Sequence, residues 1–418
     1  MAKIKDIQAR EILNAKGLPT VEAIVILDDG KVGAASCPTG ETISSYESVE
    51  IKDNDLNRFS GKGSLKAVDI IRKTIAPGLI GREAERQQEI DKIMIDMDGT
   101  QNKSKLGTNS MLAVSMATAK ASAASSVLPL FVYLSQYVKK DHASFKIPIP
   151  ILNQIRGKRE EGLADFHEFL LIPASFKSYT DSIQMGEALH NSLKKILQAK
   201  NTKILSDYEE GFAANLSSNK EAFAYIRQAA EDAHVRLGFD AFFGIDCKAS
   251  EFYKEGKYRI KDKPLALTSK DMIAYYEEIN NETHLLYLED PLAADDWDGW
   301  KMLFDILSKT AIIAGGDLVS TNPYRLQTAL DKKTINAIVI KPSQIGTVIE
   351  SLAIAEAAKA TGLKVIVSHR NEETNDDFIS DFSVAVNADY VKMGSLTRGE
   401  NIAKYNRLLQ IENNLKVL

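Results

Sequence analysis

Charged side chains directly follow short apolar runs in the second half of the chain. The run at residues 337–340 ends on Lys341, and the run at 285–288 ends on Glu289. A single charged residue in such a position is usually a surface or structural ion pair. Five runs end in this way, which is harder to attribute to chance and favours a shared site. The residues at the ends are Asp246, Glu289 with Asp290, Lys341, Ser368 with His369 and Arg370, and Lys392.

The acidic and basic members of this set suit different parts of one reaction. Carboxylates such as Asp246 and Glu289 are hard oxygen ligands, which Mg²⁺ prefers in proteins. Lys341 and Lys392 suit proton transfer or the binding of an anion, and Arg370 suits a phosphate or a carboxylate. The residue types therefore indicate abstraction of a proton next to a carboxylate, with metal ions holding the developing charge.

Bringing these residues together requires a barrel or an open sheet. From residue 147 onward, short apolar runs alternate with helical patterns, and eight strands in about 270 residues match a parallel α/β barrel. The alternative is an open doubly wound sheet, but no glycine-rich phosphate loop follows the first strand. We therefore predict a barrel, with strands at 147–152, 169–172, 241–245, 285–288, 311–314, 337–340, 365–367 and 388–391.

The first third of the chain places strand patterns before helical ones. Alternation of apolar and polar residues predicts strands that have one covered face. Strands followed by helices are typical of a small α+β domain. The predicted strands are at 4–13, 21–27 and 31–35, and the predicted helices at 65–75, 83–97 and 110–124. A polar break at 139–142 follows, so we predict domains at residues 1–138 and 143–418.

Length and composition limit the class of protein. A chain of 418 residues exceeds the usual size of one hydrophobic core, which agrees with two domains. A net charge of −5 predicts no nucleic-acid partner. Cys37 and Cys247 lie far apart without metal-site spacing, which fits a reducing cytoplasm. The apolar stretch at 111–134 contains Lys120 and predicts a buried helix, so we expect no membrane association.

Several motifs resemble those of the enolases, the phosphopyruvate hydratases. The most specific block is Glu-Asp-Pro-Leu-Ala at 289–293 with Asp-Asp-Trp-Asp-Gly-Trp at 295–300. Other matching segments are Ala-Arg-Glu-Ile-Leu at 9–13, Asp-Gly-Thr-Gln-Asn-Lys-Ser-Lys-Leu-Gly at 98–107, Ala-Ser-Glu-Phe-Tyr at 249–253, Gln-Ile-Gly-Thr at 344–347, Val-Ser-His-Arg at 367–370 and Ala-Lys-Tyr-Asn at 403–406. The resemblance runs nearly end to end. It implies an N-terminal α+β domain, an enolase-type α/β barrel, a Mg²⁺ cofactor and a homodimer.

The resemblance also implies roles in proton transfer. Lys341 matches the general base that removes the proton α to the carboxylate. Glu209 matches the general acid that assists loss of the hydroxyl group, and Glu168 lies beside it in the family.

Substrate and metal residues follow from the same matches. Lys392 matches a lysine that contacts the substrate near the base, His369 an active-site histidine and Arg370 a phosphate-binding arginine. Asp246 and Glu289 match two of the three carboxylates that hold the first Mg²⁺.

The metal motif departs from the enolase pattern at one position. Enolases have Asp-Asp-Leu where this chain has Gly316, Asp317 and Leu318. The third carboxylate is missing, so we expect weaker binding of Mg²⁺. Asp317 is the candidate for a partial replacement, although alternation along a strand predicts that its side chain leaves on the other face.

The loops around the substrate differ as well. Thr42 stands where enolases have a serine that helps to bind a second Mg²⁺, and Ser44 replaces a hinge glycine. The loop at 156–160 reads Arg-Gly-Lys-Arg-Glu and lacks the family's histidine. Arg159 in this loop is a candidate substrate contact, unless the loop is merely exposed. Asn371 replaces a serine that contacts phosphate.

Three functions remain open for a chain that keeps the proton-transfer residues and changes the binding loops. The first in our ranking is the conversion of 2-phosphoglycerate to phosphoenolpyruvate by an enolase-type lyase. The second is the same chemistry on another small anionic phosphorylated or phosphonate carboxylate. The third is a degenerate enolase that acts as a binding or scaffold protein.

Overall fold

Three antiparallel strands and a group of helices form the N-terminal part of the chain. The computed structural model describes residues 1–40, 44–138, 145–157, 163–200, 204–205 and 211–417. The strands pair in the order β1 (Ile4–Leu13), β2 (Pro19–Leu27) and β3 (Val32–Ser36). The helices are α1 (Leu65–Ile70), a π-helical turn (Ile71–Ile75), α2 (Ala76–Leu79), α3 (Gln87–Asp98), α4 (Thr108–Ser125) and α5 (Leu130–Ser135). The predicted α+β fold of this part is confirmed.

Helix α4 packs closely on this sheet because most of its side chains are small. A Cβ added at Gly33 in β3 would lie 2.1 Å from the carbonyl oxygen of Ala117, so a side chain there would push the helix away. Nearly all residues of α4 are buried, as predicted for the apolar stretch that contains Lys120. No helix within the described ranges is long and apolar enough to cross a membrane.

Eight strands form a closed barrel in the rest of the chain. They are β4 (Ile149–Arg156), β5 (Glu168–Pro173), β8 (Ala241–Asp246), β11 (Tyr287–Glu289), β12 (Ile312–Gly315), β13 (Ala337–Ile340), β14 (Lys364–Ser368) and β15 (Tyr390–Lys392). Pairing of β15 with β4 closes the ring. Short additional strands are β6 (Ile204–Leu205), β7 (Phe212–Ala214), β9 (Tyr253–Lys254) and β10 (Lys257–Tyr258). The predicted barrel is confirmed, and each predicted barrel strand overlaps an observed one.

Helices follow most of the barrel strands. They are α6 (Tyr179–Ala199), α7 (Asn219–Asp232), α8 (Ser269–Thr283), α9 (Trp297–Leu307), α10 (Pro323–Lys332), α11 (Val348–Ala360), α12 (Phe378–Ala385) and α13 (Gly399–Val417). Several begin at a side-chain cap; for example, the Thr347 side chain accepts a hydrogen bond from the Glu350 backbone N–H at the start of α11.

One barrel strand runs in the direction opposite to the others. β5 pairs antiparallel with β4 and with β8, so the expectation of an entirely parallel barrel was wrong at this strand. The physical reason is the short connection between β4 and β5, since a parallel pair needs a longer crossover, usually through a helix.

Side chains of the barrel strands alternate between two hydrophobic clusters. In β13, Ala337 and Val339 belong to the cluster inside the barrel, whereas Ile338 and Ile340 belong to the larger cluster under the helices. The inner cluster also contains Ile151, Leu170, Ile172, Tyr287, Ile312, Ala314, Ile366 and Tyr390. Because the alternation has a period of two residues, the next inward position after Val339 is Lys341.

Candidate active site at the barrel mouth

The same alternation brings four more charged residues to the barrel mouth. Glu289 and Lys392 each lie two residues beyond a member of the inner cluster. Asp246 pairs in register with Glu289 on one side and with Glu168 on the other. Glu168 is the first residue of its strand, and it reaches this mouth because β5 is antiparallel.

Lys392 lies at the centre of these carboxylates. Its Nζ donates to Glu168 Oε2 at 2.8 Å, to Asp246 Oδ2 at 2.8 Å and to Glu289 Oε2 at 2.7 Å. All four side chains are almost fully buried. We call Lys392, Glu168, Asp246 and Glu289 the lysine cluster. The three short bonds are charge-assisted, which makes them stronger than hydrogen bonds between neutral groups.

Burial and charge act in opposite directions on these groups. Burial lowers the pKa of Lys392, but the charges of Asp246, Glu168 and Glu289 raise it well above its ordinary value. Burial raises the pKa of Asp246, yet Lys392 outweighs this effect and lowers that pKa. Burial and the charge of Asp246 raise the pKa of Glu289 to about 7. One ammonium group therefore does not balance the negative charge of the cluster.

Lys341 has a different environment from Lys392, although both end barrel strands. Its backbone N–H donates to Thr321 Oγ1 at 3.0 Å, and this hydroxyl donates to Gln344 Oε1 at 2.7 Å. The side chain is half-buried at the mouth. Among the described residues, no carboxylate forms an ion pair with Lys341. Its amine is therefore the less restrained of the two.

A cavity at the mouth brings together most of the predicted site residues. Its lining residues are His167, Glu168, Asp246, Lys248, Glu289, Asp290, Asp317, Lys341, Ser368, His369, Asn371 and Lys392. Three predicted residues, Thr42, Arg159 and Glu209, lie outside the described residues. Asp317 is half-buried and lines the cavity. The described residues include two clusters of side chains that could hold a metal ion, and Asp317 belongs to neither.

His369 supplies a neutral ring to this cavity. Burial and the nearby charges of Lys392 and Lys404 lower the pKa of His369 well below its ordinary value. Its Nδ1 has no hydrogen-bond partner within the described part of the chain, although the residue is buried. A buried polar atom without a partner is uncommon, and it marks a place where a ligand atom could bind.

Arg370 forms a buried ion pair with the N-terminal part of the chain. Its Nη2 lies 2.9 Å from Glu47 Oε2, and we call these two residues the arginine pair. Burial raises the pKa of Glu47, but Arg370 outweighs this effect and lowers it, so the carboxylate is ionised. A Cβ added at Gly40 would lie 1.7 Å from Arg370 Nη2, so only glycine leaves room for the guanidinium.

Residues 44–48, which we call the rim segment, pack against the edge of the barrel. The Tyr46 hydroxyl donates to both carboxylate oxygens of Asp295, at 2.6 and 2.7 Å. The guanidinium of Arg325 lies 3.6 Å from the centre of the Tyr46 ring, a cation–π contact. Asn322 Nδ2 donates to the Tyr46 carbonyl oxygen at 3.2 Å. These contacts hold Glu47 where it meets Arg370.

Comparison with protein-family models decides the family. A model described as the enolase N-terminal domain matches residues 4–134, and a model described as the enolase C-terminal TIM barrel domain matches residues 144–417. The chain belongs to the enolase family. The predicted resemblance and the enolase-type fold are confirmed, and membership supports a lyase of the enolase superfamily. The limits 1–138 and 143–418 stay predictions, since residues 139–144 lie outside the described chain.

The side chains at the mouth of this enolase-family barrel have the donor atoms and the net charge that suit a divalent cation. The cavity is lined by five carboxyl side chains and three lysines, which leaves a formal excess of two negative charges. Carboxylate oxygens are the ligands that Mg²⁺ prefers. Two groups of side chains in the described residues have possible ligand atoms within 4.8 Å of one another. The first group is His167, Glu168 and Asp246, and the second is Asp246, Glu289 and Asp290.

Two residues at the mouth of this enolase-family barrel had no predicted role. Asp290 directly follows Glu289, so alternation would send its side chain to the other face. No local signal indicates the left-handed backbone of Asp290, since a following proline favours an extended conformation in the residue before it. Glu47 lies far from Arg370 in the sequence, and no local pattern indicates that the two residues pair.

Proposed function

We propose that the chain is a carbon–oxygen lyase that converts 2-phosphoglycerate to phosphoenolpyruvate. In this reaction a base takes the proton α to the carboxylate, a carbon–carbon double bond forms and hydroxide leaves the β-carbon, so water is the second product. The observation that carries the proposal is Lys341, an inward-facing amine at the mouth that lies outside the lysine cluster.

The other residues of the mouth suit binding and charge stabilisation. Lys392 and His369 line the cavity and would offer a cation and a neutral ring to an anionic substrate, while Arg370, which is paired with Glu47, lies directly beside the cavity residues His369 and Asn371. Glu168 accepts hydrogen bonds from Asn153 Nδ2 at 3.0 Å and from Lys392, and it would help to position the leaving group beside the predicted acid, Glu209. Mg²⁺ bound by Asp246 and Glu289 would stabilise the negative charge that develops on the substrate.

The direct test follows phosphoenolpyruvate by its ultraviolet absorbance. Purified chain, 2-phosphoglycerate and Mg²⁺ should give product at a rate proportional to enzyme concentration. Lys341→Ala should lower kcat by about 10²- to 10⁴-fold, the usual contribution of a general base. Lys220→Ala is the control and should leave kcat unchanged, since Lys220 pairs with Glu278 and Glu282 outside the cavity. Absence of product at high enzyme concentration would contradict the proposal.

A second candidate is the same proton abstraction on a different phosphate or phosphonate carboxylate. It is favoured by Gly316 and Asn371 at the mouth, where the enolase pattern has an aspartate and a serine. A panel of α-carboxylate phosphates and phosphonates separates the two candidates. Turnover of a phosphonate without turnover of 2-phosphoglycerate, again lost in Lys341→Ala, would establish the second.

A further inference from the structure

Gly316 leaves a space at the mouth that two neighbouring carboxylates fill. A Cβ added at Gly316 would lie 2.5 Å from Asp290 Oδ2 and 2.8 Å from Glu289 Oε1. Both distances are shorter than carbon and oxygen atoms tolerate without movement, because protein interiors are closely packed. A side chain at position 316 and the Asp290 carboxylate therefore exclude one another in this arrangement.

Asp290 lies next to the two predicted metal ligands. One possible ligand oxygen from each of Asp246, Glu289 and Asp290 lies within 4.8 Å of the others, and all three residues are buried. Asp290 is outside β11 and has a φ of 44°. Because the residue is not in extended conformation, strand alternation no longer directs its side chain away from Glu289.

Backbone N–H groups fix the orientation of the Asp290 carboxylate. Gly316 and Leu318 donate to Oδ1 at 3.0 and 3.3 Å, and Asp317 donates to Oδ2 at 2.6 Å. An ionised carboxylate has about four acceptor positions, so these bonds leave capacity for a cation. Hydrogen bonds of this kind commonly orient the carboxylates that ligate metals.

We propose that Asp290 replaces the carboxylate missing at position 316 and acts as a protein ligand of the divalent cation, together with Asp246 and Glu289. The inference rests on the metal requirement of the proposed function. It gives the chain three carboxylates, the hard oxygen donors that suit Mg²⁺ and Mn²⁺. The glycine at 316 is then what makes room for the new ligand.

The test uses Mn²⁺ alone as the probe, with free Mn²⁺ measured by electron paramagnetic resonance on the full chain without substrate. Asp290→Asn keeps the shape of the side chain and should weaken Mn²⁺ binding by about tenfold or more, because ligand charge controls affinity. Asp317→Asn removes the same charge from the same cavity and should change affinity by only about twofold, as a more distant charge does. Asp290→Asn combined with Gly316→Asp should recover most of the lost affinity.

Gly316→Ala provides a second route if Asp290→Asn does not fold. Its methyl group should displace the Asp290 carboxylate and crowd Glu289 Oε1 without supplying a ligand, so it should weaken Mn²⁺ binding by at least as much as Asp290→Asn does. Gly316→Asp displaces Asp290 but supplies a carboxylate, so its affinity should stay close to that of the unmodified chain. Melting temperatures without metal report folding separately from binding.

Three results would overturn the inference. The first is an unchanged Mn²⁺ affinity in Asp290→Asn or in Gly316→Ala. The second is an equal loss of Mn²⁺ affinity in Asp290→Asn and in Asp317→Asn. The third is that the unmodified chain does not bind Mn²⁺. A different result would contradict the proposed function. If Mn²⁺ binding depends on Asp290 but no substrate is turned over, only the lyase activity is contradicted.

Discussion

Two buried ion-pair groups lie at the barrel mouth, and they differ in which parts of the chain hold them. The lysine cluster is built from the ends of β5, β8, β11 and β15, so one barrel positions all of its members. The arginine pair joins Arg370, in the loop after β14, to the rim segment of the N-terminal part. The first group depends on strand register, and the second on docking of a distant segment.

This difference indicates how a member of the family can change its binding properties and keep its chemistry. Moving a lysine-cluster residue requires a change in a strand that also supports the barrel core. The arginine pair changes when the rim segment changes, because Glu47 reaches Arg370 only through that segment. The predicted departures at Thr42, Ser44 and Asn371 lie next to the arginine pair in the sequence rather than in the barrel strands.

The largest effect is expected from removing the ammonium group of the lysine cluster. Lys392→Met leaves three buried carboxylates without their shared cation, and such a loss typically costs about 3–5 kcal/mol of unfolding free energy. Urea denaturation of metal-free protein measures it. Lys220→Met, which breaks exposed pairs with Glu278 and Glu282, is the control and should cost about 0–1 kcal/mol. Similar losses in both variants would remove the distinction between buried and surface pairs.

A second test of the lysine cluster uses pH. Burial and Asp246 raise the pKa of Glu289 from 4.5 to about 7, so the folded state binds more protons than the unfolded state in this window. The contribution to stability is therefore complete below pH 4.5 and is lost as the pH rises to about 7. The loss amounts to about 3 kcal/mol at 1.36 kcal/mol per pKa unit.

Glu289→Gln removes the titrating group and keeps a similar shape. Denaturation of the metal-free variant between pH 4.5 and 7 should show a smaller fall in stability than the unmodified chain. An identical pH dependence would mean that other groups, such as Asp290, whose pKa burial and Asp317 also raise, dominate the titration.

How far the site could be predicted depends on whether strand geometry positions it. Lys341, Glu289, Asp246 and Lys392 were placed correctly because two-residue alternation and the shared mouth of a barrel follow from local patterns. The position of Asp290 required knowledge of where β11 ends, and its left-handed backbone is not encoded by composition. Whether the predicted roles of these residues are correct stays a prediction.

The fold shows the same division between local and distant information. The barrel strands were found from short apolar runs, but the direction of β5 depends on the short connection between it and β4, which single-strand patterns do not report. The docking of the rim segment on Asp295 and Arg325 joins residues about 250 or more positions apart, and only the folded chain brings them together.

A smaller effect is expected from breaking the arginine pair. Glu47→Gln removes the carboxylate charge but leaves an amide oxygen as acceptor, and Glu50 remains near Arg370. We therefore expect a loss of about 1–3 kcal/mol in urea denaturation, below that of Lys392→Met. Glu22→Gln, which breaks an exposed pair with Arg10, is the control. A loss as large as that of Lys392→Met would mean that rim docking supports the fold as strongly as the barrel strands do.

The smallest effects are expected at Tyr46, where two contacts of the rim segment can be separated. Tyr46→Phe removes the hydroxyl bonds to Asp295 but keeps a ring under Arg325. Hydrogen exchange of the amides in residues 44–48 should become about 2- to 5-fold faster, which corresponds to a lost bond of about 0.5–1 kcal/mol. Tyr46→Ala also removes the cation–π contact, so exchange should be faster again by a similar factor. Equal exchange in the two variants would assign the contribution of the Tyr46 side chain to its hydroxyl. Unchanged exchange in both would mean that other contacts hold the rim segment, such as the arginine pair and the bond from Asn322 to the Tyr46 carbonyl oxygen.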